Sequence, residues 1–348
     1  MAARRETVSL FPSSDVVIGQ AQAVHALTQA MKSDRLAHGL LFAGPAGVGK
    51  ETCARGLARG LLCERRHTPD ERLPFGCGQC RACRRVDAGT HPDVTVVLSE
   101  AEMVARGLGE PEGKARPSQD IKVDAIRGLA QTLQKRPYEG AKRVAIIVDA
   151  HRMNTQAQNA LLKGLEEPSS TTVLVLLVPN IRAVLPTIAS RCLRLRFAPL
   201  APEALEAILV QRGITDAGAR ARGGASSVVD ALADDDNVDA NALADRLIGA
   251  IAQREQGVGL GDRLELAASL GKDRGEVDVV LAAALRKLKK SLRARHLEGL
   301  GGVDVDEVSA LEAIWGARLD LQKNGAVQLV LEQLLLGAPP TVFALKRG

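Results

Sequence analysis

Aromatic side chains are nearly absent: one Trp, one Tyr and five Phe make up 2% of the 348 residues. Proteins that hold single strands without sequence preference stack bases on aromatic rings, so this mode of binding is excluded as a main function. Also missing is any apolar run of membrane-spanning length, and the start, MAARRETVSLFPSSDVVIG, has no apolar secretion-signal core. A cytoplasmic protein without membrane contact is expected. Neither sign of charge dominates: 46 Lys and Arg stand against 41 Asp and Glu, for a net +5. That balance permits contact with nucleic acid and does not require it. What is plentiful is aliphatic surface, with 46% hydrophobic residues in a chain too long for one ordinary core. Two or three helix-rich domains are expected.

Short apolar runs recur at LLFAG (40–44), VTVVL (94–98), VAIIVD (144–149), TVLVLLV (172–178) and LRLRF (193–197). Helical patterns separate most of them, which predicts an α/β core with a parallel sheet covered on both faces. The polar segment EAEMVARGLGEPEGKARPSQ (100–119) reads as an exposed loop. After Pro199 the pattern is helical throughout, with long runs at 241–256, 276–297, 305–322 and 324–337. Within it RKLKKSLRARH (286–296) is the most basic stretch. Leu285, Leu288 and Leu292 share one face, so it reads as a solvated or subunit-facing helix, with DNA contact as the alternative.

The first run leads straight into GPAGVGKET. Gly44, Gly49 and Lys50 meet the phosphate-binding pattern G-x-x-x-x-G-K-[ST], with Gly47 inside it, but Glu51 stands where the hydroxyl should hold Mg2+. Thr52 is no substitute, because one step along a helix turns a side chain by about 100°. The acidic strand end is also incomplete. Asp149 is present and could hold a metal, yet it is followed by Ala150, which cannot polarise a water. Two defects in one site point away from ATP hydrolysis. Two readings of the loop stay open: a purely structural turn, and a cradle with residual ATP affinity.

Six cysteines are present, and three form CGQCRAC (77–83) with Cys63 upstream. Thiolates spaced by two residues wrap a tetrahedral ion, so Cys63, Cys77, Cys80 and Cys83 are expected to hold a structural Zn2+ with no open position. His67 and His91 are alternative fourth ligands to Cys63, and free thiols or an iron–sulfur cluster are the competing readings. Cys53 and Cys192 are expected to be core thiols. A zinc-ribbon reader of nucleic acid would want rings near the knuckle. CGQCRACRR offers Arg81, Arg84 and Arg85 but no suitable ring beyond Phe75.

Two stretches carry a specific resemblance: VVIGQAQAVHALTQAMKSDRLAHGLLFAGPAGVGK (16–50) and VDAHRMNTQAQNALLKGLEEPSSTTVLVLLVPNIRAVLPTIASRCLRLRF (148–197). The acidic strand end, the NALLK-LEEP helix and the Ser190-Arg191-Cys192 motif follow in the order seen in the AAA+ subunits of the bacterial DNA polymerase III clamp loader, which this chain resembles along essentially its whole length. The resemblance implies an AAA+ P-loop core at 1–198 carrying the zinc module at 63–83, a small helical lid at 199–243 and a helical collar for oligomerisation at 244–348. It implies that Arg191 is an arginine finger acting in trans on a neighbour's ATP site. The plain alternative is a carboxylate partner at the rim of its own core. Pro179 and Asn180 stand where motor subunits carry a sensor threonine. The second sensor arginine is missing from RGGASSVVDAL, where Gly224, Ser226 and Ser227 remain. These departures imply a non-hydrolysing stator beside the motor subunits (gamma and tau) and the delta subunit in a five-membered ring. Through that ring it would serve the sliding clamp and primed DNA. An active motor subunit of the same assembly is the main rival reading.

Overall fold

The five apolar runs become five parallel strands: β1 (Gly39–Ala43), β2 (Val94–Val97), β3 (Arg143–Ile147), β4 (Thr172–Val178) and β5 (Leu193–Arg196). They hydrogen-bond in the order β2-β3-β4-β1-β5. Every residue of β1, β3 and β4 is buried, as expected for strands covered on both faces. At the edge, β5 buries Leu195 and exposes Arg194 and Arg196, charges that discourage pairing with another chain. The computed structural model describes residues 17–65, 75–110, 117–222, 227–232, 238–252, 260–270, 273–297, 305–322 and 326–336.

Helices clothe the sheet. One face is closed by α5 (Val123–Leu133) and α6 (Thr155–Glu166), whose Ile126, Leu129, Leu161 and Leu165 meet Leu41, Ile147 and Leu176 of the strands. Asn154 starts α6 by accepting from the Ala157 amide at 2.9 Å, as an N-cap should. The chain enters through α1 (Ala21–Lys32), and α2 (Lys50–Leu62) follows the phosphate-type loop. Gln20, 4% exposed, bridges the loop to the end of β5: its Nε2 donates to the carbonyls of Val48 and Ala198, and its Oε1 accepts from the Ala198 amide. Behind α2 lies α3 (Arg81–Asp87).

The segment 100–119, expected as loop, contains a short helix, α4 (Glu100–Ala105). Ser99 caps it by accepting from the Glu102 amide at 3.2 Å, a signal that the Gly, Pro and Glu content of the stretch obscured. Short α7 (Pro186–Ala189) leads into β5.

By its internal contacts the chain divides into Met1–Ala204 and Leu205–Gly348. The break expected after residue 198 precedes α8 (Pro202–Gln211), within which the division falls. Beyond it come α9 (Ala217–Arg222), α10 (Val228–Leu232), α11 (Val238–Ala252), α12 (Leu260–Ser269), α13 (Arg274–Leu297), α14 (Val305–Gln322) and α15 (Val327–Leu336). The break expected after 243 falls inside α11. One apolar core joins α11 to α15, with Leu247, Leu281, Ala284, Ile314 and Leu331 fully buried. The basic stretch lies on α13. There Leu285 and Leu288 enter this core, Lys287 reaches Asp245 at 2.5 Å, and Lys289 sits over the Trp315 ring at 5.9 Å. No helix among the described residues is long and apolar enough to cross a membrane.

Candidate nucleotide and metal sites

Parallel pairing puts the ends of β1 and β3 on the same edge of the sheet, with β4 between them, the arrangement that makes a binding crevice in open α/β sheets. Gly44 follows β1 there. A Cβ at Gly44 would fall 2.2 Å from the Phe197 carbonyl oxygen, so only glycine lets the loop pass β5. Gly47 and Gly49 take left-handed φ values of 71° and 97°, which turn the loop and start α2. The loop geometry of a phosphate cradle is thus kept. Lys50, however, points back into it, donating to the carbonyls of Gly44 at 2.6 Å and Pro45 at 2.5 Å. Burial lowers its ammonium to a pKa of about 8, against the pull of Asp149 and Glu51. Thr52 is buried at 9% exposure and takes no part, in line with its turn around the helix.

Asp149 follows β3 in a left-handed conformation, φ 49°, with Arg152 Nε 3.6 Å from its carboxylate. Ala150 is fully buried. The next residue, His151, has a buried Nδ1 without a hydrogen-bond partner. Burial, with Arg152 and Lys50 nearby, holds its pKa below the usual value although Asp149 opposes them. Pro179 and Asn180 sit at the same edge after β4, and Asn180 is exposed. Gly224 and Ser226 of the second-sensor segment lie outside the described residues, and Ser227 is buried.

Glu51 does not hang free at the metal-ligand position. Its carboxylate accepts from Arg106 Nη1 at 2.6 Å and Nη2 at 3.0 Å, and Arg106 Nε donates to Glu102 at 2.8 Å. Burial works against the guanidinium charge, and the two glutamates outweigh it, pushing the pKa of Arg106 up. Sequence reasoning missed this residue. The available signal was Glu102 and Arg106 at helical spacing, together with the counter-charge that an inward Glu51 requires.

The four cysteines converge, with all four sulfurs within 4.8 Å of one another. Cys63 ends α2, Cys77 and Cys80 come from the knuckle around Gly76 and Gly78 (φ 76° and 67°), and Cys83 lies on α3. Two sulfur pairs, Cys63 with Cys80 and Cys77 with Cys83, stand 3.9 Å apart. Tetrahedral ligands about 2.3 Å from an ion lie roughly 3.8 Å from one another, so the donor set fits a closed four-thiolate site. Backbone amides of Gln79 and Cys80 point at the Cys77 sulfur at 3.5 and 3.3 Å, and that of Cys83 at the Cys80 sulfur at 3.4 Å. Burial opposes the Cys77 thiolate, but the Gln79 and Cys80 amides, together with the Cys63 and Cys80 side chains, bring its pKa down to about 6. His91 is elsewhere: it accepts from the Asp93 amide through Nδ1, and its Nε2 lies 3.6 Å from Glu139. His67 lies outside the described residues. Cys53 and Cys192 are buried, and burial raises them to about 12 and 11, as befits core thiols.

The module is bolted to α2. Asp87 of α3 faces Arg59 at 3.1 Å and Arg55 at 3.7 Å, and the Phe75 ring fills the space over Gly56. Nearby, Asp93 is fully buried and accepts from the amides of Tyr138, Glu139 and Gly140 at 2.5, 2.9 and 2.8 Å. Arg143 stands 3.3 Å from it.

Arg191 precedes β5. Leu193 pairs with Leu40, and the Arg191 carbonyl lies where a Cβ on Gly39 would come within 3.3 Å of it. Arg191 therefore sits at the opposite edge of the sheet from the loop at Gly44, about 16 Å away at roughly 3.3 Å per strand residue. Its side chain is exposed, with Nη2 2.9 Å from Glu166 and Nη1 donating to the Thr187 carbonyl at 3.0 Å.

Residues 19–201 match the family described as DNA polymerase III, delta subunit. Over 185 residues the chain is 38% identical to DNA polymerase III subunit delta' of Pseudomonas aeruginosa, covering 53% of this chain and 50% of that protein. With the Bacillus subtilis delta' subunit it shares 34% identity over 199 residues, 56% of this chain and 53% of that one. With DNA polymerase III subunit tau/gamma of Haemophilus influenzae it shares 32% over 184 residues, 53% of this chain and 23% of the other. The chain thus covers about half the length of the delta' relatives it matches. A solved DNA polymerase III gamma subunit-related protein of Thermotoga maritima aligns at 15% identity and a TM-score of 0.40, over 90% of this chain and 97% of that one. Matched over more than half of its residues, the chain belongs to the DNA polymerase III delta-subunit family, with delta' subunits among its relatives.

Proposed function

We propose that this chain is the delta' stator of a DNA polymerase III clamp loader, a subunit without ATPase activity of its own that helps place a sliding clamp on primed DNA in the cytoplasm. Its partners are the gamma/tau motor subunits and delta in a five-membered ring. The lid at 199–243 and the collar at 244–348 belong to this reading, with α11 as the helix that joins them.

One observation carries the proposal: Arg191 lies at the sheet edge away from its own altered loop, exposed and, among the described residues, in contact with Glu166 and the Thr187 carbonyl. That position, away from the chain's own loop, supports a role at a neighbour's site, while the pair with Glu166 is the carboxylate partner of the plain alternative. Inserted beside a neighbour's γ-phosphate it would neutralise charge as that charge develops, an effect worth about 10³ to 10⁵ in rate in related chemistry. The chain's own site lacks the counterpart groups, since Glu51 is paired and Ala150 carries no acid. Gly44, Gly47, Gly49, Lys50 and Asp149 form the remnant of a nucleotide cradle. Cys63, Cys77, Cys80 and Cys83 would hold Zn2+, which fastens the knuckle to α2 and supplies no reaction chemistry.

The test is steady-state ATP turnover by the reconstituted complex of this chain with its cognate motor and delta subunits, native against Arg191→Ala. A large loss with assembly intact supports the finger. Unchanged turnover leaves only a structural ring member.

A further inference from the structure

The altered nucleotide site carries its own cation. Glu51 stands where the phosphate-loop pattern places the Mg2+ ligand, and Arg106 meets both of its oxygens in the parallel fork that guanidinium and carboxylate favour. Its Nε donates to Glu102. Both partners are well shielded, Glu51 at 16% and Arg106 at 18% exposure. We infer that Arg106 occupies the place of the metal ion and shuts this site to metal-bound nucleotide.

Arg106 is not at the end of a loose arm. Its backbone closes α4, donating to the Glu102 carbonyl at 3.1 Å, while Ser99 caps the other end. Glu100 accepts from the Ser118 amide at 3.1 Å, and the Ala101 amide donates to the Ser118 carbonyl at 3.0 Å, so the first turn of α4 is tied to Ser118. With the backbone anchored in this way, the bonds to Glu51 and Glu102 hold the guanidinium over residue 51. A divalent ion there would need oxygen ligands from residue 51, water and phosphate. The bidentate pair uses both oxygens of residue 51 and brings a positive charge that repels the ion. Lys50, turned onto the carbonyls of Gly44 and Pro45, is consistent with a site satisfied from within.

The inference rests on reading 44–50 and Asp149 as an altered nucleotide site, and it is tested on the isolated full chain, where clamp loading does not enter. Thermal unfolding is followed with millimolar ATP, with Mg2+ or with EDTA. Native protein is expected to give no Mg2+-dependent rise in midpoint. Arg106→Gln, which frees the Glu51 carboxylate for the ion, is expected to gain one of about 2–4 °C or more. If that variant does not fold, Glu51→Thr with Arg106→Gln takes its place, because it leaves no unpaired carboxylate. An equal rise in the native protein, or none in the folded variant, overturns the role of Arg106. Lys50→Ala added to the responding variant is expected to abolish the rise. If the rise survives, ATP binds elsewhere, and the site reading falls together with the inference.

Discussion

Arg191 and Glu166 form an ion pair at the rim of the sheet, 2.9 Å apart and 38% and 50% exposed. Pairs this open contribute little, about 0–1 kcal/mol, so releasing the guanidinium from Glu166, as the proposed role at a neighbour's site requires, would cost little. Glu166→Ala is expected to shift stability by less than about 1 kcal/mol in denaturant titration and to leave ATP turnover of the complex near native. Arg191→Ala is expected to lower single-turnover hydrolysis at the adjoining site by about 10³-fold or more. Equal effects of the two substitutions on turnover would contradict an easily released finger.

Metal analysis of purified protein should return one zinc per chain, with Cys63, Cys77, Cys80 and Cys83 protected from thiol reagents until a chelator is added. Cys77→Ala should lose the metal and loosen the α2–α3 contact, read as faster amide exchange from residue 75 to residue 87. Metal-free protein with all six cysteines intact would rule out the zinc assignment.

Asp93 makes acid stability testable. Burial works against its charge, but three backbone amides and Arg143 outweigh burial and hold its pKa below the ordinary 3.8. A depressed carboxylate adds stability above its unfolded pKa and loses it as pH falls through the lower folded value. Native protein should therefore lose stability below about pH 4, and Asp93→Asn should flatten that limb. The same substitution should cost about 3–5 kcal/mol at neutral pH, because it leaves Arg143 buried beside a neutral group. A pH profile unchanged by the substitution would show that other carboxylates govern the limb.

Gly44 separates the structural use of the loop from a binding use. Its missing Cβ makes room for the Phe197 carbonyl, so Gly44→Ala should destabilise the fold by about 1–3 kcal/mol whether or not nucleotide is present. Unchanged stability on thermal melting would mean that β5 yields without cost.

The amino-acid order by itself determined the five strands, the phosphate-type turn and its two defects, the four clustered thiols and the helical second half. Each rests on residues close in sequence: apolar runs of strand length, a nine-residue motif, a C-x-x-C-x-x-C knuckle. A helix in the segment 100–119 was not legible, because its cap and its hold on Ser118 count for more than its Gly and Pro content. Only the tertiary structure decided what Glu51 does, which edge of the sheet Arg191 occupies and why Asp93 is buried. Those outcomes depend on distant partners: Arg106 is 55 residues from Glu51, Leu40 pairs with Leu193 beside Arg191 across 153 residues, and the group from Tyr138 to Arg143 lies 45 to 50 residues from Asp93. A charge lowers its energy by meeting an opposite charge or a donor in space, and sequence spacing does not encode which distant segment the packed sheet brings within 3 Å.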